Sequence, residues 1–297
     1  MKNKIVAIVV TYNRKNLLLE CVDALNKQEN VSCDIIIVDN NSTDGTQSAI
    51  KDLNIENINY FNTGENLGGA GGFNFGMRKA VELGYEYAWL MDDDCIPSKT
   101  ALLELKKANE KYKNLGFLSS KVIWKDNTIC VMNVQRQTMY KNINYNNDID
   151  TKILMASFVS CFIPVKIILE VGLPIKDFFV WTDDWEYTRR ITKKYNAFYI
   201  PKSIVIHKTE FNIGANIVNT KKDRINRFFY LYRNEVYLYR REFIVGWLYI
   251  FIRVFYHLAK IIFMAKDNKL KRIYQLFKGT LIGLFFYPKI ENFEKKH

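Results

Sequence analysis

Residues 5–14 read IVAIVVTYNR, an unbroken apolar run followed by four polar side chains. A run this short and this continuous suits a strand buried on both faces, as in a parallel sheet. The pattern recurs: residues 35–38 (IIIV) lead into Asp39-Asn40-Asn41, and residues 87–91 (YAWLM) into Asp92-Asp93-Asp94. Helix-like stretches separate the runs, at 14–27, at Thr46–Leu53 after the Asp44-Gly45 turn, and at Phe73–Leu83. This alternation predicts an α/β fold with a mostly parallel sheet flanked by helices. Ligands of open parallel sheets bind outside the carboxyl ends of the strands, so the polar clusters that end these runs point to one crevice.

Residues 64–76 (GENLGGAGGFNFG) hold six of the fourteen glycines and precede the helix expected at Phe73. Exposed backbone N–H groups there would favour an anion such as a phosphate, although tight turns and close helix packing need glycine equally. No G-x-G-x-x-G follows the first strand and no G-x-x-x-x-G-K-[ST] occurs, which argues against dinucleotide-binding dehydrogenases and P-loop enzymes. The triplet Asp92-Asp93-Asp94 crowds three carboxylates at a strand end, a repulsion that a divalent cation relieves. In an extended segment Asp92 and Asp94 point the same way and could ligate one Mg2+ or Mn2+; with His207, one of three histidines, the set becomes two carboxylates and an imidazole, which suits Mn2+. Asp183-Asp184-Trp185-Glu186 opens a helix expected over 183–195, behind the aromatic run Phe178-Phe179-Val180-Trp181. Those rings suit the faces of a sugar, and their desolvation raises a carboxylate pKa, so a general base could live there.

The chain has 297 residues with 48% apolar residues, enough for a sizeable core and too apolar for a disordered tail. Five cysteines, odd in number, widely spaced and without a C-x-x-C pair, argue against a disulfide framework or zinc knuckle and fit a reducing cytosol. The start, Met1-Lys2-Asn3-Lys4 and then Ile5–Val10, is too short for a signal-peptide core. Between 115 and 165, Phe117–Trp124 and Ile153–Ile163 read as strand-like, and Asn142–Asp150 as an exposed excursion.

Taken in order, VVTYNR (9–14), IIIVDNNSTDGT (35–46), ENLGGAGGFNFG (65–76), the acidic triplet (92–94), TDDWE (182–186) and His207 resemble a family 2 glycosyltransferase of the GT-A fold. The glycine run, triplet, acidic pair and later histidine are most similar to bacterial galactofuranosyltransferases, and rhamnosyltransferases share much of the pattern. The resemblance implies a Rossmann-like GT-A domain over residues 1–210. It implies that Thr11, Tyr12, Asn13 and Arg14 frame the nucleotide of a UDP-sugar and that Asp39 binds uracil or ribose. Asn66, with Gly68, Gly69 and Gly72, would face the diphosphate or sugar, beside Asp92 and Asp93. Asp92, Asp94 and His207 would hold Mn2+ or Mg2+. Asp184 matches the position of the family's base, with Asp183 and Glu186 beside it and Trp181 and Trp185 toward the acceptor; Thr182 stands where the family usually carries a Trp. One base and one metal-held diphosphate imply an inverting single displacement. A non-catalytic nucleotide-sugar-binding subunit and a nucleotidyltransferase stay open as alternatives.

Formal charge is +12, but residues 219–297 hold 17 Lys/Arg against 6 Asp/Glu, and 19 of the 43 aromatic residues. Residues 211–297 are therefore expected to form a helical, basic and aromatic module. Residues 243–264 (FIVGWLYIFIRVFYHLAKIIFM) are long enough to cross a bilayer, yet Arg253, His257 and Lys260 lie well inside the stretch. Each full charge would cost about 2.5–3.5 kcal/mol at the bilayer centre, so a helix lying in the headgroup region is expected, aided by Thr280–Tyr287. This predicts peripheral attachment to the inner face of the cell membrane, with a lipid-linked glycan as acceptor. The competing reading is a helical subdomain core or dimer interface, which leaves a homo-oligomer open. Nucleic-acid binding is not expected: no groove-reading motif is present, and residues 1–218 hold 26 basic against 25 acidic side chains.

Overall fold

A computed structural model describes residues 4–145 and 148–293. The unbroken apolar runs form central strands: β1 (Ile5–Thr11), β2 (Asp34–Asp39) and β4 (Tyr87–Asp92), with β3 (Ile58–Asn62) beyond β2. The four run parallel in the order β3-β2-β1-β4, with Val6 opposite both Asp34 and Ala88. Beyond β4 the sheet becomes mixed. Strand β8 (Cys161–Pro164) is antiparallel to β4 and to β6 (Leu115–Ile123), β9 (Asn196–His207) is parallel to β6, and β5 (Cys95–Pro97) closes the edge antiparallel to β9.

Helices cover both faces. On one side α1 (Lys15–Asn26) and α4 (Ala101–Lys111) bury Leu18, Cys21, Val22, Leu25, Leu102 and Leu105 against Ala7, Val9 and Ile37. On the other, α3 (Gly68–Glu82), α5 (Val165–Val171) and α6 (Asp183–Thr192) bury Phe73, Met77, Ile168, Tyr187 and Ile191 against Ile8, Val38 and Leu90. The short α2 (Thr46–Asp52) follows β2.

Three expectations change. Helix α3 begins at Gly68, five residues before the expected start, because its glycines let the helix lie directly on β1: a Cβ at Gly72 would come within 2.5 Å of Val10, and one at Gly76 within 2.4 Å of Ile8. Residues 153–160 are a buried loop, with only β7 (Thr151–Lys152) and β8 at its ends, because scattered partners satisfy the backbone: Ile153 N–H donates to Ala197 O, and Ala156 N–H to Thr188 Oγ1. Within the expected excursion 142–150, Ile143 is buried and Tyr145 packs edge-on against Tyr199, whereas Ile149 is exposed. Residues 146 and 147 of that stretch, and Met1, Lys2 and Asn3 of the N-terminal reading, lie outside the described residues.

After β9 the chain forms α7 (Phe228–Tyr239), α8 (Phe243–Met264) and α9 (Lys269–Leu284). Helix α7 lies close along α9: a Cβ at Gly279 would meet Phe229 O at 2.7 Å and one at Gly283 would meet Val236 Cβ at 2.7 Å. Helix α8 is long and apolar enough to cross a membrane, yet only 11% of its most apolar stretch is buried. Arg253, one of its charged positions, turns inward and forms a two-pronged ion pair with Glu235 of α7, both bonds 2.6 Å. His257 accepts or donates at 2.8 Å to the Tyr232 hydroxyl. Burial and the neighbouring Arg253 and Lys260 charges push the pKa of His257 down to about 3, so this imidazole stays neutral.

Candidate active site

Thr11, Asp39, Asp92 and His207 are the last residues of β1, β2, β4 and β9. A tight turn at Asp93-Asp94 sends the chain into β5, whose Cys95 pairs with His207 across the sheet edge. That register delivers Asp94 to the imidazole: Asp94 Oδ1 lies 2.9 Å and Asp92 Oδ2 4.0 Å from His207 Nε2. Asp92 and Asp94 thus meet across a turn, not along the extended segment expected from the sequence. Asp93 turns the other way, accepting from Thr11 Oγ1 at 2.8 Å and from Arg14 Nη1 at 3.2 Å; the same Nη1 reaches Asp94 Oδ2 at 2.8 Å.

Burial pushes the Asp93 carboxyl up to about 7 against the pull of Arg14, and burial with the Asp94 charge raises Asp92. Burial also works to raise Asp94, but His207 and Arg14 overcome it and hold Asp94 below the usual carboxylate range. Burial opposes a charge on His207, and its Asp94 partner, the Cys130 contact and the Asp92 charge outweigh it, lifting the imidazole to about 10.

The donor set fits a divalent cation. Separations of 2.9 and 4.0 Å are spans that one ion with bonds of about 2.1 Å can bridge. Asp94 Oδ1 is buried and receives no directed hydrogen bond among the described residues. Behind the imidazole, Asn133 Oδ1 sits 2.7 Å from His207 Nδ1, and Asn133 Nδ2 donates to Ser157 Oγ at 2.9 Å. With its amide nitrogen committed to Ser157, Asn133 presents its oxygen to the ring and accepts a hydrogen bond from Nδ1–H, and Nε2 faces Asp92 and Asp94, where a bound cation would take the place of its proton. Asn133 and the nearby Cys130 were missed by motif reading. They lie 74 and 77 positions before His207, in a loop with no recognisable pattern.

The remaining candidates surround this edge. Tyr12 is exposed, and Asn13 ties the first loop to the second, donating its backbone N–H to Ser42 Oγ and accepting from the Thr43 N–H. Asp39 is fully buried, accepting from the Tyr60 hydroxyl and from the Ser42 N–H at 2.8 Å. Asn66 accepts from the Gly68 N–H at 2.9 Å and so covers part of the start of α3. Gly68 has a φ of +70°, and a Cβ there would collide with Phe179 O; Gly69 faces open space, and Gly72 is packed under Val10.

Helix α6 opens with the acidic pair. Asp183 is buried, and Asp184, half-buried, accepts from the Trp185 N–H at 2.7 Å. Burial raises Asp183 to about 7; burial and the Asp183 charge push Asp184 well above the carboxylate range, and the Asp92 charge adds to both. Asp92 and the pair therefore share one electrostatic field. Glu186 looks elsewhere, bonded to Arg190 through Nε at 3.2 Å and Nη2 at 2.8 Å. Trp181 packs edge-on against Phe228 of α7, and Trp185 lies under the Arg136 guanidinium at 4.6 Å.

Residues 6–172 match the model of Glycosyl transferase family 2. A 97-residue segment is 37% identical to galactofuranosyltransferase GlfT1 of Mycolicibacterium smegmatis, covering 33% of this chain and 32% of that protein. The match thus spans about a third of the length of that relative. Over 216 residues the chain is 28% identical to the GalNAc(5)-diNAcBac-PP-undecaprenol beta-1,3-glucosyltransferase of Campylobacter jejuni, covering 69% of this chain and 64% of that one. Among solved structures, the mannosyltransferase of Pyrobaculum calidifontis in complex with GDP-Man and Mn2+ shares the fold at a TM-score of 0.55 and 18% identity, over 96% of this chain and 75% of that one.

Proposed function

Because the chain belongs to glycosyl transferase family 2, we propose that it is an inverting, metal-dependent glycosyltransferase that moves galactofuranose from UDP-galactofuranose onto a hydroxyl of a lipid-linked glycan in cell-surface polysaccharide synthesis. The observation that carries this reading is the meeting of Asp92, Asp94 and His207 at the ends of β4 and β9, with the Asp92 charge acting on the raised Asp183-Asp184 pair. Residues 1–210 would carry the chemistry and 211–297 the attachment to the membrane. The galactofuranosyl donor is supported by the GlfT1 similarity, and the lipid-linked acceptor by the Campylobacter relative, whose name describes a PP-undecaprenol substrate.

Thr11 to Arg14, Asp39 and Asn66 with Gly68 and Gly69 would line the nucleotide-sugar. Asp92, Asp94 and His207 would hold Mn2+ or Mg2+, whose charge offsets that of the departing diphosphate. Asp184, its pKa raised, takes the proton of the acceptor hydroxyl as that oxygen attacks the anomeric carbon in line, and no covalent sugar intermediate forms. Trp181 and Trp185 would border the acceptor. Arg253 and His257 turn inward on α8, leaving an outer apolar face that would lie on the inner surface of the cell membrane.

Nucleotide release should be assayed with UDP-galactofuranose, UDP-galactopyranose and dTDP-rhamnose, with Mn2+ or EDTA and a lipid-linked acceptor extract. Metal-dependent, acceptor-stimulated release of UDP from UDP-galactofuranose is expected. Release from dTDP-rhamnose alone makes the chain a rhamnosyltransferase, silence with tight UDP binding makes it a non-catalytic subunit, and pyrophosphate release from a nucleoside triphosphate makes it a nucleotidyltransferase.

A further inference from the structure

The turn that delivers the acidic pair to the site is backbone-strained. Phe179, Trp181 and Thr182 have φ values of 63°, 66° and 71°, which bulky and β-branched residues disfavour; Phe179, with ψ −58°, centres a γ-turn closed by Val180 N–H to Phe178 O at 2.7 Å, and Thr182 is left-handed helical. Three such residues within four positions persist only where neighbours over-determine them. One side chain reaches most of the turn. Asn234 of α7 is fully buried, and its Nδ2 lies 3.0, 3.2 and 2.9 Å from the carbonyl oxygens of Phe178, Val180 and Trp181. Its Oδ1 accepts from Arg233 Nε at 3.0 Å and Nη2 at 2.9 Å, which fixes the amide with its nitrogen toward the turn. The far side of the turn meets α3, where Phe179 O accepts the Ala70 N–H at 3.2 Å and leaves no room for a Cβ at Gly68.

We propose that Asn234 is a positioning residue: it holds the turn 178–182 and so sets where the Asp183-Asp184 pair enters the crevice. The first helix of the C-terminal module is then part of the apparatus that orders the acids, and removing it would leave the turn without its donor. For its kinetic consequence the inference rests on the transferase reading above; its structural consequence does not.

The test compares the full-length protein with Asn234→Ala, using hydrogen exchange and kinetics with UDP-galactofuranose and a lipid-linked acceptor extract. In the variant, amides 179–184 should exchange roughly ten-fold faster or more while those of β1, β2 and β4 are unchanged. Mn2+·UDP affinity, its binding stoichiometry and donor KM should hold while kcat falls about 100-fold; a general loss of folded protein would lower the stoichiometry together with kcat. Thr182→Gly, which tolerates the left-handed backbone, should recover part of kcat in the Asn234→Ala background. If Asn234→Ala does not fold, Asn234→Asp keeps the volume and the Arg233 contacts while removing the donor, and the same loosening is expected. Unchanged exchange over 179–184, or faster exchange with kcat retained, would overturn the inference. Should the wild type release nucleotide from no donor, the transferase reading fails, and the exchange data alone decide whether Asn234 holds the turn.

Discussion

Asp184 sits in an environment that keeps a carboxyl protonated longer than water would, a property that suits the proposed general base. Replacing it with Asn keeps the size and the Trp185 contact but removes proton acceptance. Transfer is expected to fall about 10²–10⁴-fold while UDP binding, measured by calorimetry, is unchanged. The sign of the pH dependence follows from the direction of the shift: the working form is the carboxylate, so kcat should rise with pH through a raised pKa. The acid limb then lies well above the ordinary Asp range of about 4 and should vanish in the Asn variant's residual rate. Asn133 makes a second residue-scale case. Asn133→Leu removes the acceptor at His207 Nδ1, so Mn2+ affinity followed by electron paramagnetic resonance should weaken roughly 10–100-fold. Asp92, Asp94 and His207 were legible in the sequence because carboxylates crowded at a strand end demand a partner. Asn133 and Asn234 were not, since a lone asparagine carries no spacing signal and only the folded chain shows what its amide meets.

Among the elements, legibility followed the shape of the apolar pattern. β1, β2 and β4 are continuous runs because helices bury both their faces; β3 (INYFN) lies half-buried on the sheet's edge, with neither a continuous apolar run nor a strict alternation to mark it. The run 153–160 carried the opposite error, since an apolar segment can be buried as a loop whenever Arg136, Ala197 and Thr188 meet its backbone groups. The glycine run of α3 separates two roles that the sequence could not. At Gly72 a Cβ would press on Val10, so Gly72→Ala should lower stability by about 1–3 kcal/mol in denaturant unfolding. At Gly69 nothing lies within 4 Å of an added Cβ, and Gly69→Ala should be neutral or gain up to about 1 kcal/mol. Equal losses at both sites would mean that α3 does not lie on β1 as described.

At the scale of the whole molecule, α8, α9 and the residue after α9 leave Phe243, Ile244, Phe263, Leu270 and Phe285 each more than 80% exposed. Water alone is a poor neighbour for so large an apolar surface. The charges inside α8 have partners: Arg253 is paired with Glu235, His257 is neutral, and Lys260 lies over the Tyr256 ring at 5.2 Å. In the proposed attachment, the basic excess of residues 219–297 would add about 1 kcal/mol for each side chain that reaches an anionic leaflet, and the apolar face would add binding that salt does not screen. Phe251 and Phe255, both more than half exposed with ring centroids 4.6 Å apart, lie on that outer face. In co-sedimentation with vesicles containing phosphatidylglycerol, the wild type should bind, weaken on raising salt without being released completely, and bind much less tightly once Phe251 and Phe255 are both changed to Glu. The alternative occupant of the face, a second copy of the chain, makes a different forecast: a dimer by sedimentation velocity that the same double change dissociates, and indifference to vesicles. Since Asn234 joins α7 to the turn before Asp183, and Glu235 joins α7 to α8 through Arg253, adjacent residues of one helix reach the turn that leads to the acids and helix α8. If α8 is seated on lipid as proposed, the same helix α7 would tie the Asp183-Asp184 pair to that surface, on the side from which the proposed lipid-linked acceptor would present its hydroxyl.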